Sequence, residues 1–111
     1  MQVIVNKIID LSNCTPEDLK LGYPRGTQLN IELDGLSVIS IQGHNMLSDT
    51  YYTLPIIDKS NYDVLTKAKK AGMYEVDISC VNTVKIETES NKGNIYIKVI
   101  ENKRGQQKGE E

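Results

Sequence analysis

The sequence predicts a mainly β fold with a minor α component, built as a single domain with one helix. Three observations lead there. Residues 27–41 alternate polar and apolar side chains with period two on either side of Asp34-Gly35. The chain has no Trp and no Phe, and its aromatics are six tyrosines, so Ile, Val and Leu must build the core. The β-branched members of that set favour strands. A single segment, 60–71, repeats its apolar residues at helical spacing.

Taken in order, residues 2–9 alternate loosely and end in Ile8-Ile9, which reads as a strand. Thr15 can cap, Pro16 suits a first helical position, and Glu17 and Asp18 suit the positive end of a helix dipole. Gly22 and Pro24 follow too soon for more than a short helical turn. Thr27 to Leu33 and Leu36 to Ile41 then read as a hairpin closed at Asp34-Gly35, a pair that tolerates the positive φ of a two-residue turn. Residues 43–49 read as a loop. Thr50 to Leu54 is β-prone, and Pro55, which cannot donate to a ladder, marks it as an edge strand or its end.

Ser60-Asn61-Tyr62-Asp63 has the spacing of a capping box. Val64, Leu65, Ala68 and Ala71 share a helical face, Lys67, Lys69 and Lys70 lie towards solvent or the last turn, and Gly72 suits the position after a helix. The expectation is a helix over 60–71. Met73 to Cys80 reads as a strand through Tyr74, Val76 and Ile78. Thr83 to Thr88 and Ile95 to Ile100 read as a second hairpin around Ser90-Asn91-Lys92-Gly93. Its register sets Ile86 opposite Ile97, Lys85 opposite Lys98 and Glu87 opposite Tyr96.

If 73–88 is one bent strand, the order from residue 27 is three strands, a helix and two strands. That is the order of an OB-like five-stranded barrel with its helix between strands 3 and 4, and residues 1–24 become an added N-terminal strand and turn. The domain is expected to span 1–101. Residues 102–111 contain no apolar side chain and two glycines, and read as a disordered polar tail. In size and element order the chain is similar to single-strand-binding proteins of phages and mobile elements; no motif carries that likeness.

With 111 residues the chain has room for one core. A net charge of −2 and a pI near 5.4 argue against a general basic coat, and leave room for a local basic stripe. The start of the chain lacks the layout of a signal peptide, and no apolar run is long enough for a membrane span. Cys14 and Cys80 match no metal spacing and read as free thiols, which suits a cytoplasmic location.

The residues of catalysis are not gathered anywhere in the sequence. His44 reads as a solvent-facing loop histidine with no second histidine at ligand spacing. Cys80 reads as a small buried hydrophobe, and Cys14 has no basic partner near it in sequence. Gly22-Tyr23-Pro24-Arg25-Gly26 lacks the pattern of a phosphate loop, and Glu32, Asp34, Glu75 and Asp77 form no acid–base spacing. The expectation is a non-enzyme that uses no cofactor and no metal.

The last hairpin points to a function. Two lysines directly opposite each other destabilise a sheet. A phosphate backbone across that face would relieve Lys85 and Lys98, with Tyr96 as a stacking platform; Glu87 and Glu101 could instead neutralise them on a solvated face. Tyr51 and Tyr52 are adjacent in a strand, so one of them faces away from the core. The expected function is binding of single-stranded nucleic acid. Tyr51, Tyr52 and Tyr96 would stack bases, and Lys85, Lys92, Lys98, Lys103 and Arg104 would meet phosphates. The alternative is a protein-binding accessory or inhibitor module that covers a partner or assembles with itself as a homo-oligomer. The acidic pI, the edge at Pro55 and the polar 43–49 loop speak for it. A third reading is a small-ligand pocket near Tyr23 and Arg25.

Overall fold

A computed structural model of the chain describes residues 2–22, 26–45 and 47–101. The expected tail, with Lys103 and Arg104, and the Tyr23–Arg25 pocket lie outside them.

Among the described residues, ten strands form two antiparallel sheets. They are β1 (Gln2–Asp10), β2 (Lys20–Gly22), β3 (Gln28–Leu33), β4 (Ile39–Asn45), β5 (Thr50–Thr53), β6 (Ile56–Asp58), β7 (Val64–Leu65), β8 (Gly72–Asp77), β9 (Thr83–Thr88) and β10 (Asn94–Glu101). The large sheet has the order β1-β10-β3-β8-β6-β7, and the small sheet β2-β9-β4-β5. Alternate residues of each strand point between the sheets: Leu29, Ile31 and Leu33 of β3, Ile95, Ile97 and Val99 of β10, Ile39 and Ile41 of β4, Val84 and Ile86 of β9. These residues form one buried cluster, which makes the fold a sandwich. Tyr74 is buried among them, and its hydroxyl donates to the Lys70 carbonyl at 2.7 Å.

The mainly β expectation holds, and the barrel does not: among the described residues the two sheets stay separate. Residues 2–9 are not an addition either. β1 pairs with β10 along its length, and Ile9 and Leu11 are core residues. The short helical turn is present as a 3-10 helix at Pro16–Leu19. Asp18 accepts from the Thr15 N–H at 2.8 Å there.

Both expected hairpins are overturned by strand pairing. β3 pairs with β10 and β8, whereas β4 pairs with β9 and β5. β9 and β10 likewise lie in different sheets, and so do β8 and β9, so 73–88 is not one bent strand. The chain passes between sheets at 34–38 and again at 89–93, and the two corners are tied side by side. The Glu89 N–H donates to the Val38 carbonyl at 2.9 Å, and the Ser90 hydroxyl to the Leu36 carbonyl at 3.3 Å. The Asp34 carboxylate accepts from the Asn94 N–H at 2.8 Å and the Leu36 N–H at 3.0 Å. The Asn94 N–H, then that of Leu36, holds the carboxyl below its ordinary range. Asp34-Gly35 does turn, with Gly35 at φ +87°, but it turns into a corner instead of closing a hairpin.

The expected helix at 60–71 is absent. Residues 58–63 form a tight hairpin in which the Tyr62 N–H donates to the Asp58 carbonyl at 2.6 Å, with Tyr62 at φ +62°. The Asp58 carboxylate takes the Ser60 N–H and hydroxyl at 2.9 and 2.7 Å, so Ser60 serves an upstream turn instead of capping a helix. Ala68 then exchanges two backbone hydrogen bonds with Ile39 and joins this segment to the small sheet. The physical reason lies in the apolar stripe. Two of its four residues are alanines, too little surface to hold a lone helix against strand pairing.

Candidate interaction surfaces

The sandwich presents two outer faces, and they differ in chemistry. On the large sheet, cross-strand partners fall into rows. One row runs Ile8, Tyr96, Glu32, Met73 over β1, β10, β3 and β8. Ile8 is 64% exposed, Met73 58% and Tyr96 37%, so the row is an apolar stripe open to solvent. The next row runs Asn6, Lys98, Asn30, Glu75, Ile57. Between the rows lies a shallow depression of about 220 Å³ bordered by Asn30, Glu32, Met73, Tyr96 and Lys98. Glu75 is held by Lys59 at 2.9 Å, whereas Glu32, in the middle of the stripe, forms no ion pair with a described residue.

The outer face of the small sheet is polar. Lys85 lies opposite Gln42 on one side and Lys20 on the other. Its Nζ sits 5.0 Å from the centre of the Tyr51 ring. Tyr51 is paired with His44, ring centroids 4.9 Å apart, and His44 Nε2 shares a hydrogen bond with Asp49 Oδ1 at 2.9 Å. Gln42 donates to the Thr53 hydroxyl at 3.0 Å. Lys20 has Glu17 at 3.6 Å.

The structure therefore divides the residues read together in the sequence. Tyr51 and Lys85 meet on the outer face of the small sheet, whereas Tyr52, opposite the buried Gly43, is on the other side of that edge strand. Tyr96 and Lys98 lie on the opposite outer face. Lys98 has Asn30 and Asn6 as cross-strand neighbours, and Tyr96 has Glu32 and Ile8, so the expected Lys85–Lys98 and Glu87–Tyr96 oppositions do not exist. The like-charge pair that does exist is Lys20–Lys85. Lys92 is exposed in the second corner, away from both rows.

His44 is a residue of β4 with a mostly covered side chain, against the expectation of a loop. Cys80 is exposed in a turn, against the expectation of burial; Cys14 is half-buried, and both thiols are free. Among the described residues no group of His, Cys, Asp and Glu could hold a metal ion, and no helix is long and apolar enough to cross a membrane. Ile8, Glu32 and Met73 went unremarked as site residues in the sequence. A signal was present: Ile8-Ile9 and Met73-Tyr74 are adjacent apolar pairs in strands, so one member of each must face outwards, as with Tyr51-Tyr52.

No protein-family model matches the chain, and no curated protein does. Among solved structures, the chain is similar to the SPBc2 prophage-derived protein YomS, with a TM-score of 0.59 and 14% identity over 85% of this chain and 89% of that one. The likeness is one of fold.

Proposed function

We propose that the chain is a non-catalytic protein-binding module that docks its partner on the outer face of the large sheet. The observation that carries this reading is the stripe of Ile8, Tyr96 and Met73 at one level across the sheet, with Glu32 set into it. A solvent-facing apolar row of this kind is what a protein interface covers. Covering Glu32 without a counter-charge would be costly, so the partner surface is an apolar ridge that brings a Lys or Arg to Glu32. The free thiols fit a reducing compartment such as the cytoplasm, and the fold shared with a prophage-derived protein is in keeping with a phage or mobile-element origin.

The test is affinity capture from host lysate by the full chain, run beside Ile8→Glu and Met73→Glu. A partner held by the wild type and lost by both variants supports the reading. Equal capture by all three defeats it.

A second reading rests on the small sheet. Lys85 lies over the Tyr51 ring there and Lys20 is its cross-strand neighbour, an arrangement that suits a single strand of nucleic acid. On this reading Tyr51, Lys85 and Lys20 are the contacts; Tyr52, whose partner is the buried Gly43, faces the other way, and Tyr96 and Lys98 lie on the other sheet. Gel shifts with single-stranded oligonucleotides test it. Lys20→Ala and Lys85→Ala should each lower the salt slope by about 0.7, the loss of one phosphate contact. No binding at low salt ends this reading.

A further inference from the structure

We propose that β5 is the self-association edge of the protein: two copies pair their β5 strands antiparallel about a two-fold axis through Tyr52 and join their small sheets into one. The proposal is independent of the docking face on the large sheet.

The four sheet edges of the described residues differ in how they are protected. β1 carries Lys7 at a core-facing position, its Nζ reaching the Asp18 carbonyl at 3.4 Å, and a register shift between Val3 and Val5. Inward-pointing charges and bulges are devices that keep an edge from pairing with another chain. β2 is three residues long with a shift between Lys20 and Gly22, and β7 is two residues long. β5 carries neither an inward-pointing charge nor a bulge, and Pro55 limits its edge only beyond Thr53. Thr50-Tyr51-Tyr52-Thr53 is uncharged, pairs with β4 in unbroken register, and is exposed throughout.

Tyr52 occupies an unusual position on this edge. Its partner is Gly43, a buried residue of β4, so the pleat directs Tyr52 towards the core side of the sheet. Yet Tyr52 is 52% exposed. The room beside Gly43 is taken by Val81 and Leu54, whose atoms stand 2.6 and 3.0 Å from where a Cβ would be. Tyr52 is left beyond them, with about half of its surface uncovered by the described residues. The same side chain from a second copy would provide that cover.

The register of β5 also suits pairing with a second copy. The Leu54 N–H donates to the Ile41 carbonyl at 2.8 Å. By antiparallel alternation, the backbone groups of Tyr52 also point to β4, and those of Tyr51 and Thr53 point to the open edge. Setting Tyr51 against Thr53 of a second copy, and Thr53 against its Tyr51, makes about four backbone hydrogen bonds around a close Tyr52–Tyr52 pair. Pro55, at the next edge-facing position, has no N–H to add and ends the ladder. A self-complementary patch of this kind is what a two-fold dimer requires.

Sedimentation velocity on the full chain tests this. The mass should rise from 12.5 kDa towards twice that value as concentration increases from about 10 μM to about 1 mM. Tyr52→Lys, which places two like charges at the axis, should remain a monomer with an unchanged circular dichroism spectrum. A Tyr52→Cys/Cys80→Ser variant should form a disulfide dimer on mild oxidation, well ahead of a Tyr62→Cys/Cys80→Ser control. A wild type that stays monomeric at about 1 mM overturns the proposal, and so does Tyr52→Lys associating as the wild type does. A dimer broken by Met73→Glu but not by Tyr52→Lys places self-association on the large sheet and also overturns it. Loss of lysate capture in Met73→Glu with β5 pairing intact affects only the function proposed above.

Discussion

The two sheets are alike on the inside and different on the outside. Their inner faces are interchangeable rows of Ile, Leu and Val in one cluster, and either could serve as the core of the other. Their outer faces differ in emphasis: the large sheet exposes an apolar stripe holding Glu32 beside a polar row, the small sheet a cation–aromatic cluster with hydroxyls and amides and no such stripe. The strand ends differ too. Asp10, Asp34, Asp58 and Asp77 each turn the chain at or just after the end of a large-sheet strand. The small sheet has no matching set among the described residues. Packing needs volume and apolarity, which many residues supply equally. Surfaces and strand ends are free to specialise.

The largest expected effects test the likeness of the inner faces. Ile31→Ala in the large sheet and Ile41→Ala in the small sheet should each cost about 2–5 kcal/mol. Urea denaturation of both variants checks this. A small loss in one of them would mean that its sheet does not share the single cooperative core.

The corners come next. Gly93 sits at φ +96° with Asp34 Oδ1 2.9 Å from the place of a Cβ, whereas Gly72, at φ +151°, has open space there. Gly72→Ala should cost about 1 kcal/mol from backbone strain, and Gly93→Ala more, since it also displaces the carboxylate that ties the corners. Equal losses in thermal unfolding would show that the tie adds nothing.

Acid sharpens the contrast between strand ends. Hydrogen bonds from the Ser12 hydroxyl to Asp10, from the Asn94 N–H to Asp34, from the Ser60 N–H to Asp58 and from the Ser79 hydroxyl to Asp77 hold all four carboxyls below their ordinary value of 3.8. Lys67 does the same to Glu89, whose ordinary value is 4.5. Each favours the ionised form in the folded state. Their stabilisation is complete above the ordinary values and is lost as pH falls through the lower folded ones. Stability should be level from pH about 5 to about 9 and decline below about 4. Asp34→Asn should flatten that decline in a pH series of urea midpoints. A decline that begins near pH 6 would point to another group.

The smallest effects belong to the outer faces. Ile8→Glu, Met73→Gln and Lys85→Ala should each change stability by no more than about 0.5 kcal/mol; Met73→Gln is used because Met73→Glu would face Glu32 across the strands. A larger loss at Met73 by thermal unfolding would mean that the stripe is part of the fold and not an interface.

Local chemistry alone determined where most strands lie. Period-two alternation in Gln28–Leu33 and Thr83–Thr88 holds in the folded chain, as does the turn at Pro16 and the edge implied by Pro55. What only the tertiary structure decided is which strand pairs with which. Alternation is the same whether β3 lies beside β4 or β10, and Asp34-Gly35 accepts a corner as readily as a hairpin. The choice went to the arrangement in which Asp34 ties both corners and two apolar faces close on each other. The helix at 60–71 failed for the same reason: the Asp58 turn and the Ala68–Ile39 pairing are contacts that helical periodicity cannot register. Candidate sites inherit that limit. Lys85 and Tyr51 stand 34 residues apart in sequence and meet. Lys85 and Lys98 stand 13 apart and are on opposite outer faces. Neither outcome follows from spacing, because a face is defined by non-local hydrogen bonds.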